Sequence, residues 1–163
     1  MPHPSVTTAL QNQADHERLA SASYMAMSHW CEVAHFSGYA EFFRLQAAEE
    51  TTHAQKILDH LVDRDVVPTL GPLPAPVCAF DDLQSVARKA IDLEKANTAG
   101  IHAAYEVALK EKDYAAQVLL HWFISEQVEE EAWADKLVAK TKAASCAGAL
   151  TYLDRHIVKE LTE

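Results

Sequence analysis

Four stretches of nearly thirty residues each carry apolar residues at helical spacing, and each stripe is interrupted near its middle by a carboxylate. The first stretch runs from about Ser5 to Ala34 through Leu10, Ala20, Met27, Cys31 and Ala34. The second runs from about Tyr39 to Val67 through Phe43, Ala47, Ala54, Ile57 and Leu61. A repeat of three to four residues puts such side chains on one face of an α-helix. The third stretch begins near Asp81, where Asp81 or Asp82 is a good N-cap, and continues through Leu83, Ala87, Ala90, Ile101, Ala104 and Ala108. The fourth runs from about Asp113 to Lys142 through Leu120, Phe123, Ala134 and Leu137, and a short fifth helix follows Ser145-Cys146-Ala147-Gly148 with Leu150, Leu153, Ile157 and Leu161 on one face. The interruptions are Glu17, Glu50, Glu94 and, in the fourth stretch, Gln127 with Glu130.

Helices of this length are about 40 Å long at 1.5 Å per residue, and four of them predict an all-α four-helix bundle. The connection PTLGPLPAPVCAF holds Pro68, Pro72, Pro74 and Pro76 and cannot be helix. Extended at roughly 3.1 Å per residue, it reaches about the length of the bundle. It is therefore expected to form a long crossover that leaves helices two and three parallel. The apolar face of the fifth helix is expected to be covered by a partner subunit. A chain of 163 residues suits one domain, residues 1–163, with a real core. Its four glycines lie outside or at the edges of the periodic segments, except Gly100.

Cys31, Cys78 and Cys146 are odd in number and form no CxxC pair, so neither a disulfide framework nor a cysteine-type metal site is expected. No run approaches the length of a membrane span, and MPHPSVTT has neither a basic nor an apolar leader region. The chain is expected to be soluble and cytoplasmic, without a membrane partner. A net charge of −10 argues against a nucleic-acid partner and raises the local concentration of cations.

The interruptions can be placed by arithmetic, because two residues of an antiparallel hairpin are level when their mean falls at the turn. Glu17 with His53 averages about 35, beside Phe36-Ser37-Gly38; Glu94 with Gln127 averages about 110.5, beside Glu111-Lys112-Asp113. Carboxylates converging on one buried spot repel each other and lose hydration, at several kcal/mol per uncompensated ion. A multivalent cation removes both difficulties. Carboxylate oxygens with a single imidazole per site suit iron or manganese, and Glu50-x-x-His53 beside glutamates from other helices is the di-iron carboxylate pattern. Tyr24 lies two turns from Glu17 on the same face. Other residues read as ordinary. Glu32-Val-Ala-His35 sits at a helix end without carboxylates at its level, Glu131 reads as solvated, Trp122 and Trp133 as packing residues, and His102, His121 and His156 have no company that singles them out.

These residues carry a resemblance. The order of five helices, the motifs AEETTHAQ (48–55) and WFISEQVEEE (122–131), and Glu17, Tyr24 and Glu94 in place are similar to a non-haem bacterial ferritin over nearly the whole chain. The resemblance implies a ferritin-like four-helix bundle with the long crossover and short fifth helix, assembled as a homo-oligomeric hollow cage of 24 subunits. It implies an iron-storage protein with ferroxidase activity, taking Fe2+ and dioxygen as substrates and depositing ferric mineral in the cage. By motif, one iron would be held by Glu17, Glu50 and His53, and the second by Glu50 as bridge with Glu94 and Glu130, Gln127 standing beside it. A third site would use Glu49, Glu126, Glu129 and Glu130, and Tyr24 would be the redox-active tyrosine. Bacterioferritins resemble a version with Glu-x-x-His in both helices and a haem-binding Met beside the bridging Glu. Here Gln127-x-x-Glu130 and Thr51 stand at those places, so no haem is expected. The acidic pair that lines the threefold channel of animal ferritins falls on Gln117 and Leu120. Two other functions fit the same ligands: a metal buffer without catalytic competence, and a di-iron oxygenase or peroxidase acting on an organic substrate.

Overall fold

A computed structural model describes residues 1–162 and shows five helices: α1 (Pro4–Val33), α2 (Ser37–Val62), α3 (Leu83–Lys110), α4 (Tyr114–Ala143) and α5 (Ala147–Thr162). Among the described residues there is no strand, and no helix is long and apolar enough to cross a membrane. The architecture is the four-helix bundle with a long crossover and short fifth helix that the stripes lead one to expect.

The first three helices close in the same way. His35, Asp65 and Lys112 adopt positive φ (65°, 60° and 55°), and the amide that follows each donates back to the carbonyl of Cys31, Leu61 or Ala108 at 2.8, 3.0 and 2.9 Å. This closure satisfies carbonyls that the end of a helix leaves without partners. It also stops α2 at Val62 rather than at the expected Val67, well before Pro68 could. Of the two candidate caps, Asp82 is the one used. Its carboxylate accepts the Ser85 amide at 2.6 Å, and the Ser85 hydroxyl accepts the Asp82 amide at 3.2 Å, which makes a capping box.

Strand-like reach takes the connection 63–82 along α1. Gln11 donates to the Thr69 carbonyl at 3.5 Å, Arg18 to that of Gly71 at 3.4 Å, and Phe80 meets the Trp30 ring edge-on at 5.9 Å. Helices α1 and α3 run antiparallel, since Asn97 meets Glu17 while Glu94 meets Tyr24. With a tight turn between α1 and α2, helices α2 and α3 are therefore parallel.

The core has two apolar halves. One is built from Val6, Leu10, Ile57, Leu61, Ile101, Leu120 and Phe123, the other from Met27, Cys31, Phe42, Phe43, Val86, Ala87 and Leu137. Between them lies a buried polar layer of Glu17, Glu50, His53, Glu94, Asn97, Gln127 and Glu130. Cys31 is buried, which pushes its thiol up to about 12, and all three cysteines are free.

Helix α5 differs from expectation. Its apolar face is turned onto its own chain: Ile157 is buried in the second core half, and Leu150, Leu153 and Leu161 pack against that half while staying partly exposed. The short 144–146 connection turns α5 across the end of the bundle where α2 starts. There Phe36 offers α2 no side-chain cap, and the Asp154 carboxylate accepts the Tyr39 amide at 3.0 Å instead. The approach is close enough that a Cβ on Gly38 would fall 1.7 Å from the Asp154 carbonyl oxygen. A backbone atom cannot swing aside as a side chain can. Gly38→Ala is therefore expected to destabilise by about 1–3 kcal/mol and to loosen α5. Urea unfolding with limited proteolysis checks this, and an unchanged midpoint with an intact C-terminus would count against it.

Candidate metal centre

Each long helix contributes to the polar layer because a glutamate replaces an apolar residue on its core face, so packing the stripes together brings the carboxylates together. Glu17 and Glu94 are 0% exposed, Glu50 1%, His53 3% and Glu130 4%. Ligand atoms of Glu17, Glu50 and His53 all lie within 4.8 Å of one another, as do those of Glu50, Glu94 and Glu130, and those of Glu49, His53, Glu126 and Glu130. Glu50 thus belongs to two groups and His53 to two.

Neighbouring donors orient most of these carboxylates. Glu17 accepts Gln13 Nε2 on one oxygen at 2.8 Å and Asn97 Nδ2 on the other at 3.0 Å. Glu94 accepts the Tyr24 hydroxyl on Oε1 and Gln127 Nε2 on Oε2 at 3.3 Å, and Glu130 accepts the Trp133 indole N–H at 2.5 Å. Two atoms of the ligand groups are left over. Glu50 Oε2 and His53 Nδ1 are buried, lack a hydrogen-bond partner, and face each other at 3.4 Å. A buried acceptor without a donor costs free energy, and a cation between these atoms would bond both.

The electrostatics agree. Burial pushes the Glu17 carboxyl well above its usual range, and the Glu50 charge adds to this. Glu50 is raised by burial and by the charges of Glu94 and Glu130, against the lowering effect of its bond to Glu17. Glu94 is raised to about 7 by burial, although Tyr24 and Gln127 pull it down, and Glu130 to about 8 by burial and the Glu94 charge. Burial and the Glu94 charge raise the Tyr24 phenol as well. Without metal the layer therefore holds protons, and a bound cation would displace them. Hard oxygen donors with one imidazole suit iron.

Other residues fall differently. Glu129 lies outside the third group, which takes His53 in its place, but it lines a groove with Glu49, Glu126 and Glu130. Glu32 and His35 are on the surface, as read, with Glu32 paired to Arg44 at 2.9 Å. Glu131 is not freely solvated: it accepts the Thr98 hydroxyl at 2.6 Å, and Thr98 in turn accepts Gln127 Nε2 at 3.2 Å. Trp133 packs against Phe42 and Tyr24, yet its indole also reaches Glu130. Gln13, Asn97 and Thr98 escaped notice in the sequence. Their signal was a polar residue one helical turn from a core-facing glutamate.

Four helices, a crossover and this buried donor set define a ferritin-like bundle. A family model described as Ferritin-like domain matches residues 7–144. The bacterial non-heme ferritin of Staphylococcus haemolyticus (strain JCSC1435) is 38% identical over 123 residues, 76% of this chain and 74% of that protein. That of Staphylococcus aureus (strain MRSA252) is 37% identical over 124 residues, 76% and 75% of the two. Among solved structures, an engineered closed form of the Archaeoglobus fulgidus ferritin superposes with a TM-score of 0.94 at 29% identity, covering 97% of each chain. An open pore ferritin from the same archaeon gives 0.93 at 28% identity, over 97% of this chain and 98% of that one. The chain belongs to the ferritin-like family, and its curated relatives are bacterial non-heme ferritins, as the two motifs implied. That membership supports iron binding and iron storage.

The raised Glu130 carboxyl makes a pH prediction for the metal-free protein. Its folded value of about 8 exceeds the ordinary 4.5, so its contribution to stability is present below 4.5 and lost as pH rises through 8. Between about pH 5 and pH 9, chelated wild type should lose stability relative to Glu130→Gln. Parallel thermal-unfolding curves for the two proteins across that range would contradict the assignment.

Proposed function

We propose that this chain is the subunit of an iron-storage ferritin whose polar layer is a ferroxidase centre. The observation that carries the reading is the pair of unpartnered atoms, Glu50 Oε2 and His53 Nδ1, in a layer where glutamates from all four long helices meet. In this reading Fe2+ is the substrate. Glu17, Glu50 and His53 receive one ion, and Glu50, Glu94 and Glu130 the other, with Glu50 shared between them. Sharing a ligand holds the ions close enough to react with one dioxygen, which is catalysis by positioning. Two ferrous ions lose one electron each, and dioxygen takes both electrons and two protons to leave as hydrogen peroxide. Gln127 and Tyr24 orient Glu94, and Tyr24 is the redox-active tyrosine at the site. Glu49, Glu126 and Glu129 line the groove beside Glu130, a path by which ferric product leaves.

Residues 1–163 form a single ferritin-like domain in this reading. Copies assemble as a cytoplasmic 24-subunit cage, without haem or a nucleic-acid or membrane partner, and the mineral collects inside.

The test is ferrous titration in air on purified apoprotein, with sizing of the same sample, for wild type and Glu50→Ala. Expected are rapid oxidation at about two irons per subunit, a particle of several hundred kilodaltons, and oxidation slowed by roughly a hundredfold in an intact variant assembly, since even outer-shell changes cost about 10–100-fold. Equal slow oxidation in both proteins would leave a storage or buffering site only.

A further inference from the structure

Gly100 lies in the interior of α3, where glycine is a poor helix former, and its φ is not positive, so the backbone has no need of it there. The need is for space. A Cβ on Gly100 would fall 2.2 Å from Gln13 Oε1 and 2.7 Å from His16 Nδ1. Gln13 is 1% exposed, and its Nε2 donates to Glu17 Oε1 at 2.8 Å, while Asn97, one turn before Gly100 on α3, donates to Glu17 Oε2 at 3.0 Å. Gln13 Oε1 has no partner of its own. The carboxamide is therefore held by the wall of α3 on one side and by Glu17 on the other.

We infer that Gly100 is small so that Gln13, together with Asn97, can hold the Glu17 carboxylate facing Glu50 and His53, which makes Gln13 and Asn97 positioning residues for the metal on the Glu17 side. Two carboxamide N–H groups, one from α1 and one from α3, hold the two oxygens and so fix both the position and the plane of the carboxylate. The remaining lone pairs stay free for a cation. Outer-shell donors of this kind orient metal ligands, and their loss weakens binding by about 10–100-fold. Glu94 and Glu130 have their own donors in Tyr24, Gln127 and Trp133, so a fault at Gln13 should be confined to one side of the centre.

The geometry also says what a methyl group on Gly100 would do. The atoms it would meet are the ends of two side chains, and an open groove of about 440 Å³ between α1 and α3, lined by Asn12, Gln13, Asp15 and His16, gives them room to swing outward. Gly100→Ala should thus leave the fold intact, and alanine is the better helix former. Glu17 would lose the Gln13 half of its support and keep that of Asn97.

This inference rests on the metal reading of the polar layer, and the experiment separates the two. Apoprotein is titrated with Co2+ alone, without oxidation chemistry, and followed by the d–d absorption of the bound ion, for wild type, Gly100→Ala, Gln13→Leu and the double variant, with thermal unfolding of each. Wild type should bind about two ions per subunit. Gly100→Ala should match or exceed the wild-type melting temperature, yet bind one of the two ions about 10–100-fold more weakly and with an altered spectrum, the other ion being unaffected. Gln13→Leu should show the same loss, and the double variant no more than either single one, because both act through one contact. Wild-type titration by Gly100→Ala, or losses that add in full, would overturn the inference while leaving the metal site standing. A wild type that binds no Co2+ would overturn the metal reading and the inference with it.

Discussion

Like charges brought out of water into one layer are the constraint around which this bundle is organised. Glu17, Glu50, Glu94 and Glu130 come from four different helices, and burial raises every one of their carboxyls. Such a layer opposes folding unless protons or a cation neutralise it. Apolar packing above and below offsets the cost, which is why the core falls into two halves with the carboxylates between them. Around the layer, Gln13, Asn97, Tyr24, Gln127 and Trp133 each direct a donor at a carboxylate. Among the ligand groups themselves, Glu50 Oε2 and His53 Nδ1 are the buried atoms that no protein group satisfies. A network satisfied nearly everywhere except between two facing ligands is preorganised for a guest.

The rest of the fold keeps the helices in register for that layer. Closures around His35, Asp65 and Lys112 set where α1, α2 and α3 stop, and the crossover along α1 forces α2 and α3 to run in the same direction. Helix α5 locks the far end, since Asp154 caps α2 and Gly38 lets the two backbones approach. Glycines 38 and 100 have the same physical role at two places: each is small because another group must occupy the space where its side chain would be.

Much of this was legible before any coordinates. The stripes through Leu10, Phe43, Ala87 and Leu120 specified four core-facing helices, and the prolines from Pro68 to Pro76 marked the crossover, because periodicity and proline chemistry are local properties of the chain. That each glutamate would face the core followed from the same periodicity. The end of α2 did not follow, since a closure around Asp65 depends on backbone geometry that five further residues of plausible helix former conceal. The packing of Ile157 of α5 into its own bundle did not follow either, because an apolar face says that something must cover it, not what does.

By itself, then, the sequence determined which faces are apolar, where carboxylates break them, and that the breaks are level within each hairpin. Only the tertiary structure decided how the two hairpins sit against each other, and with it that Glu50 stands in two ligand groups, that His53 rather than Glu129 joins Glu49, Glu126 and Glu130, and that Glu131 is tied to Thr98. The reason is one of range. Helical spacing relates residues three or four apart, whereas the meeting of Gln13 with Gly100, or of Glu17 with Asn97, depends on the packing of surfaces some eighty residues apart in the chain.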